Sequence, residues 1–454
     1  MNTMPQNSTG ITPQHLMLAT LTLVGTALSL VIAAGSITTS FIILAALVIC
    51  LICLQSPETA LHLLVFAMLL SPELGERTTA ARGGSGVTIR LDDLLLVLIG
   101  LSWLFRMAVH DQLGLFLKTT INRPIFIYLT VCLLATAWGV LTGELKPIRG
   151  FFFILKYFEY YFVYFMLVNH LSRQSQLERL LLSLLITCLI IDIHGLLQIP
   201  GGHRVTAPFE GEAGEPNTLG GYLVLMTAVC VSLALYLQKP WLSLLLWGLA
   251  GLNTVTLLFT KSRGSYLAFL GMGLTLILLT RKKTLMVIAL LVLMIGPFVM
   301  PQAVRDRIRY TFTPQRSTHI TVGRVALDPS TSARLSGWQI GLEELVSRPF
   351  LGFGVTGYRF VDSQFLLVLM ETGLVGFTAF TGLILAIIRA GRQTLRQAAT
   401  AQSKALATGM LAGTAGMLVH SLSANTFIIV RIMEPFWFLA GLVVMAPILE
   451  KNHE

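Results

Sequence analysis

Apolar residues along this chain gather into runs at 15–34, 41–55, 58–71, 91–109, 124–142, 149–170, 177–199, 218–237, 241–259, 264–280, 284–301, 363–388, 404–423 and 432–449. A helix needs roughly 17–25 apolar residues to cross a bilayer, and most of the runs meet that length. Those at 41–55 and 58–71 are short and read as a re-entrant pair or as tilted helices. About 12 to 14 transmembrane helices are therefore expected. One polar stretch is long. It covers 302–362, between transmembrane helices over 1–301 and C-terminal transmembrane helices over 363–454. No internal repeat or low-complexity tract interrupts the pattern, and no second domain is expected.

Charge sets the direction. The breaks 106–123, 171–179, 238–240, 280–284 and 389–404 hold thirteen Lys/Arg, among them Arg281, Lys282 and Lys283. They alternate consistently as cytoplasmic loops, with both termini inside. The turns at 200–217 and 260–264 then lie outside, together with the 302–362 loop. Composition agrees, with 54% hydrophobic residues, 12% charged residues and a mean hydropathy of +0.76. Soluble domains carry about 25% charge, so the class is an all-α polytopic membrane protein. The net charge of +10 reflects orienting loop charge and gives no reason to expect a nucleic-acid partner. Cys50, Cys53, Cys132, Cys188 and Cys230 all fall in apolar runs and read as core packing, without a disulfide framework or metal site. The polar start, Met1 to Gln14, has no basic region before its first apolar run, so no cleavable signal peptide is expected.

Polar groups inside the runs are unevenly placed. Lys156, Glu159, Asp192, His194, Gln198 and Glu371 all fall in the outer half of their spans. Such groups are costly in lipid unless paired or facing a wet cavity. Lys156 and Glu159, one turn apart, read as a structural pair; the cluster as a whole suggests a cavity open to the outside. His62 reads as a satisfied core histidine, and His420, Ser421, Ser423 and Asn425 as helix contacts.

The 302–362 loop holds eight arginines and no lysine. Arginine's planar fork suits bidentate recognition of phosphate or carboxylate, whereas attraction to anionic lipid is served equally by lysine. Arg305, Arg307 and Arg309, just beyond a span, read as interfacial anchors. Three outward segments look chemical. The first runs from Arg204 to the pair Pro216-Asn217, where Asn217 is also a good helix N-cap. The second is Thr260-Lys261-Ser262-Arg263-Gly264. Two cations at a helix start oppose its dipole, which favours an anion site over a pair of snorkelling anchors. The third begins at Arg334 and Trp338 and runs through Arg348-Pro349-Phe350-Leu351-Gly352-Phe353-Gly354, then Gly357, Arg359, Asp362-Ser363 and Glu371. Gly352, Gly354 and Gly357 permit turns that bring backbone close to a ligand. Gly373 and Gly376 permit close helix packing. Asp362, at a helix start beside the arginines, is either a cap or a catalytic carboxylate.

In this order the segments resemble the bacterial O-antigen ligase and Wzy-type polysaccharide polymerase family, over roughly 150–390. The resemblance implies a GT-C-like membrane glycosyltransferase of the bacterial inner membrane. Its donor would be a glycan on undecaprenyl diphosphate, its acceptor a glycan or a lipid-linked glycan, and its active site on the periplasmic face. Membrane lipid surrounds it, and chain-length regulator proteins are candidate partners. Arg204, Arg263 and Arg334 match basic positions of the family. In the ligases the polar pair reads His followed by Asn, Ser or Gln; here it reads Asp362-Ser363, which points to the polymerase branch. Charge developing on a departing diphosphate is stabilised by arginines, so no metal or other cofactor is called for. Asp362 is the first candidate base and Glu371 the second. Lys261, Arg348, Arg359 and Asn217 complete the expected diphosphate and glycan contacts. A transporter of anionic solute or lipid-linked glycan is the reading from another class. It calls for paired repeats and broken helices about a midplane site, and neither is visible in the sequence.

Overall fold

The computed structural model describes residues 48–49, 51–53, 55–71, 73–74, 89–109, 117–208, 214–299, 302, 304–306, 309, 321–322, 325–326 and 329–451. Helices follow the apolar runs. They are α1 Pro57–Leu70, α2 Leu91–Val109, α3 Asn122–Leu141, α4 Pro147–His170, α5 Gln174–Gln198, α6 Pro216–Tyr236, α7 Pro240–Phe259, α8 Arg263–Thr280, α9 Lys283–Val299, α11 Gln364–Gln397, α12 Ala401–His420 and α13 Val430–Lys451, with α10 Pro329–Leu345 inside the long polar stretch. Extended structure among the described residues is confined to two antiparallel ladders of two residues a side. The chain divides into two compact units, 1–60 with 97–113 and 61–96 with 114–454. The described part of the first is helical, and every candidate site residue lies in the second.

Among the described residues eight helices are long and apolar enough to cross a membrane: α3 to α8, α11 and α13. Helices α1, α2, α9 and α12 occupy four more of the expected runs. The run at 15–34, most of 41–55, and Cys50, Arg307, Arg316 and Arg324 lie outside the described residues. The loop helix α10 was not expected from a polar stretch with little periodicity.

Helices α6 and α13 form the centre, buried along nearly their whole length, which is why they are apolar nearly all round, Arg431 and Glu434 of α13 apart. Helix α12 is less apolar yet also largely buried. Its small residues meet α6 directly: a Cβ on Gly409 would lie 3.0 Å from Val229 Cα, and one on Gly413 2.6 Å from Leu225 Cδ1. In lipid, close backbone approach of this kind drives helix association, because apolar burial alone gives no preference over lipid. Helices α7 and α8 expose Trp241, Leu244, Leu267 and Leu274, a lipid-facing pattern.

The polar groups of the spans resolve into local partnerships. Lys156 pairs with Glu159 at 3.1 Å, as expected, and also with Asp93 of α2 at 2.5 Å. His62 meets Ser183 Oγ at 2.8 Å. The Gln198 amide lies 2.9 Å from His194 Nδ1 and exchanges two bonds with the Thr206 backbone. Asp192 is fully buried beside Thr256. Local partners thus account for Lys156, Glu159, His194 and Gln198, whereas both carboxylate oxygens of Asp192 are buried without a hydrogen-bond partner among the described residues. Arg431, which the sequence did not single out, is buried in α13 and donates to the carbonyls of Leu69, Ser71 and Pro208.

Candidate functional site

One end of the second unit gathers the starts of α6, α8 and α11 with the turn that joins α12 to α13. Ser262 caps α8 by accepting from Ser265 N, and its hydroxyl donates to Asn217 Oδ1 at 2.7 Å. Asn217 therefore does not cap α6, whose N-cap is Glu215; it ties α6 to α8. Ser265 Oγ bonds Ser262 Oγ at 2.8 Å and lies 3.2 Å from His420 Nε2, while His420 Nδ1 meets Thr426 Oγ1 at 2.8 Å. Glycines permit this closeness: a Cβ on Gly264 would stand 2.2 Å from Ser423 Oγ, and one on Gly220 2.1 Å from Ser265 Oγ. Replacing Ser262 by alanine removes the cap and the Asn217 link together. The expected cost is about 1 kcal/mol for the cap and a similar amount for the hydrogen bond. A lowered melting temperature in detergent, largely restored by Ser262→Thr, is the check.

Arg263 opens α8, half-buried. Before it, Lys261 adopts a left-handed φ of 50°, with Nζ on the Gly202 carbonyl at 2.9 Å. Arg204 donates Nε to the Thr260 carbonyl at 2.9 Å. Both side chains thus brace the 199–208 segment against the α7–α8 turn, a structural use the sequence did not disclose.

The second cluster is built on α10 and α11. Arg334 Nε donates to Asp362 Oδ2 at 3.2 Å, with Arg334 24% and Asp362 41% exposed. Asp362 is not a cap: Ser363 holds that position, at φ 116°, without a capping bond. Arg348 donates to Thr142 Oγ1 at 2.6 Å and Glu144 Oε1 at 2.9 Å, and lies over Phe353. Arg359 donates to Glu344 at 3.4 Å and to Tyr358 Oη at 3.0 Å. Burial first, then the Glu344 carboxylate, pushes the Tyr358 phenol above its usual range. Each of these three loop arginines thus has a carboxylate partner, rather than forming a bare phosphate-facing surface.

Helix α11 breaks inside its span at Gly373, where φ is 63° and ψ −165°. The chain 349–354 fills the break. Phe353 N and Gly354 N donate to the Met370 and Glu371 carbonyls, both at 2.9 Å, while Leu374 N and Val375 N donate to Pro349 O at 2.8 Å and Phe350 O at 3.2 Å. The loop glycines therefore bring backbone against α11 and α3 rather than toward a ligand: a Cβ on Gly352 would sit 2.4 Å from Met370 O, and Gly354 approaches Ala135 and Gly139. Gly373 makes the break, and a Cβ on Gly376 would meet its own helix at Thr372. Neither performs the helix-to-helix packing expected of a Gly-x-x-Gly pair. A broken helix is present after all, so its supposed absence no longer argues against transport.

Two clusters result, one around Arg263 and one around Asp362, and the turn after α12 touches both. Its His420 reaches Ser265. Asn425 Nδ2 donates to Val361 O at 2.9 Å, and Gln364 receives Phe427 N on its Oε1 and donates N to Ser421 O. The sequence marked His420, Ser421, Ser423 and Asn425 only as helix contacts; their joint bridging role depends on partners far away in the chain.

Residues 248–381 match the model of the O-antigen ligase family, Wzy_C. Comparison with the curated proteins found no match to the chain. The matched segment takes in Lys261, Arg263, Arg334, Arg348, Arg359, Asp362 and Glu371, and leaves Arg204 and Asn217 outside it.

Proposed function

With the O-antigen ligase segment at 248–381 as premise, we propose that this multi-pass membrane protein is a glycosyltransferase acting on glycans carried by undecaprenyl diphosphate. It works at the periplasmic face of the inner membrane, with both termini cytoplasmic, and extends chains as an O-antigen or exopolysaccharide polymerase. The observation that carries the reading is the Arg334–Asp362 pair, one cation and one carboxylate joined at 3.2 Å and partly open to solvent. A donor diphosphate competes for Arg334 and releases Asp362 to take the proton from the acceptor hydroxyl. That oxygen attacks the anomeric carbon, the bond from carbon to the diphosphate oxygen breaks, and undecaprenyl diphosphate leaves with the negative charge. Arg263, at the positive end of α8, stabilises the same departing charge. Arg204, Lys261, Asn217, Arg348 and Arg359 shape the walls around donor and glycan. Direct displacement inverts the anomeric centre.

Purified protein in nanodiscs, given a lipid-diphosphate repeat unit, is expected to release undecaprenyl diphosphate and form longer chains. The double variant Arg263→Ala, Arg334→Ala is expected to lose at least about 100-fold, since one such donor is worth about 100- to 1,000-fold. Wild-type rates in that variant would sink the proposal, and uptake without release would favour transport. In cells, loss of a polymerase leaves single repeats, whereas loss of a ligase to lipid A-core leaves long chains on their carrier.

A further inference from the structure

Glu371, the second candidate base, sits where a base is least use. Its side chain is 5% exposed, and its Oε1 accepts the Thr356 N–H at 2.7 Å. Tyr157 and Arg149 lie close enough to act on the same carboxylate electrically. Gln364, the first residue of α11, precedes Glu371 by seven residues, so Glu371 lies about 10 Å of helix from the Asp362 end.

The surroundings give Glu371 a different task. Thr356 is a non-glycine residue at φ 65°, a conformation that costs about 1–3 kcal/mol and persists only where neighbours enforce it. The bond to Glu371 is that enforcement. The Glu371 carbonyl takes Gly354 N, so one residue holds the 349–357 segment by both backbone and side chain. Phe353 of that segment, with Trp338 and Leu345 of α10, packs on Val361, Leu366 and Met370. This small core holds Trp338, one turn after Arg334 on α10, and Val361, the chain neighbour of Asp362.

We infer that Glu371 is a positioning residue that pins the 349–357 segment into the break of α11 and so sets the Arg334–Asp362 geometry. The inference rests on the glycosyltransferase reading for its effect on rate, but the pin is a structural claim with its own readout. Glu371→Gln keeps the Oε1 acceptor and is expected to retain activity within about threefold, with an unchanged pH profile; Glu371→Ala is expected to lose 30-fold or more, mainly in kcat. Hydrogen exchange of the full-length protein in nanodiscs reads the pin directly. Peptides over 350–357 should be protected in wild type and in Glu371→Gln, and exchange at least tenfold faster in Glu371→Ala. Tyr157→Phe, which removes a hydroxyl near the carboxylate and leaves the Thr356 bond, should lower kcat modestly without moving the pH profile, and covers the case in which Glu371→Ala does not accumulate. An inactive Glu371→Gln with normal protection would overturn the inference, as would unchanged protection in Glu371→Ala. Wild type without transferase activity but with this protection pattern would instead refute the proposed function and leave the pin standing.

Discussion

An Asp362→Asn protein is expected to insert, accumulate and melt like wild type while losing about 100- to 10,000-fold in glycan transfer, the range that a positioned general base supplies. The two effects separate because the Arg334–Asp362 pair is partly exposed, with Asp362 41% accessible. Pairs of that kind contribute about 0–1 kcal/mol to stability, and asparagine still offers Arg334 a carbonyl oxygen. Activity therefore falls far more than stability does. Measuring initial rates and melting temperature on one purified batch tests this, and near-wild-type rates would reduce the pair to scaffolding. Asp362→His is a useful companion, since it restores the residue type that the ligases carry at this place.

Gly373→Ala is expected to have a large structural effect. The added Cβ would stand 2.2 Å from Phe350 O and 2.3 Å from Phe350 C, both backbone atoms that cannot rotate away. The residue would also be held at φ 63°, unfavourable for any side chain. Relief requires the 349–354 segment to withdraw, which strips partners from Met370 O, Glu371 O, Leu374 N and Val375 N. Buried backbone groups left unpaired cost about 1–3 kcal/mol each, and water does not reach them inside a bilayer. A loss of 4 kcal/mol or more is therefore expected, seen as low yield of folded protein and a sharply lowered melting temperature. Gly382→Ala, in the same helix with nothing within 4 Å of the new Cβ, is the control. It should be neutral or stabilise by about 0.5–1 kcal/mol, as expected on replacing glycine within a helix.

The sequence by itself determined the class of protein and, among the described residues, where the apolar helices lie. Burial in lipid demands long apolar runs, and a run is a local property that one chain states openly. It also placed the Lys156–Glu159 pair, one helical turn apart, and the ordered arginine, glycine and acid motifs of 204–376 that carry the family resemblance. Partner choice was not legible. The contact from Arg348 to Glu144 spans 204 residues of chain and that from Ser265 to His420 spans 155, and no periodicity encodes such distances. Local rules therefore offered Asn217 as a cap, Asp362 as a cap or a catalytic carboxylate, Gly373 as a packing residue, Glu371 as a second base and the loop arginines as an open surface. Only the tertiary structure removed the capping role from Asn217 and Asp362, put Gly373 at a helix break and gave the arginines their carboxylates. The physical reason is that a polar side chain pairs with whichever group the fold brings within 3 Å or so, and inside the membrane an unpaired one is costly.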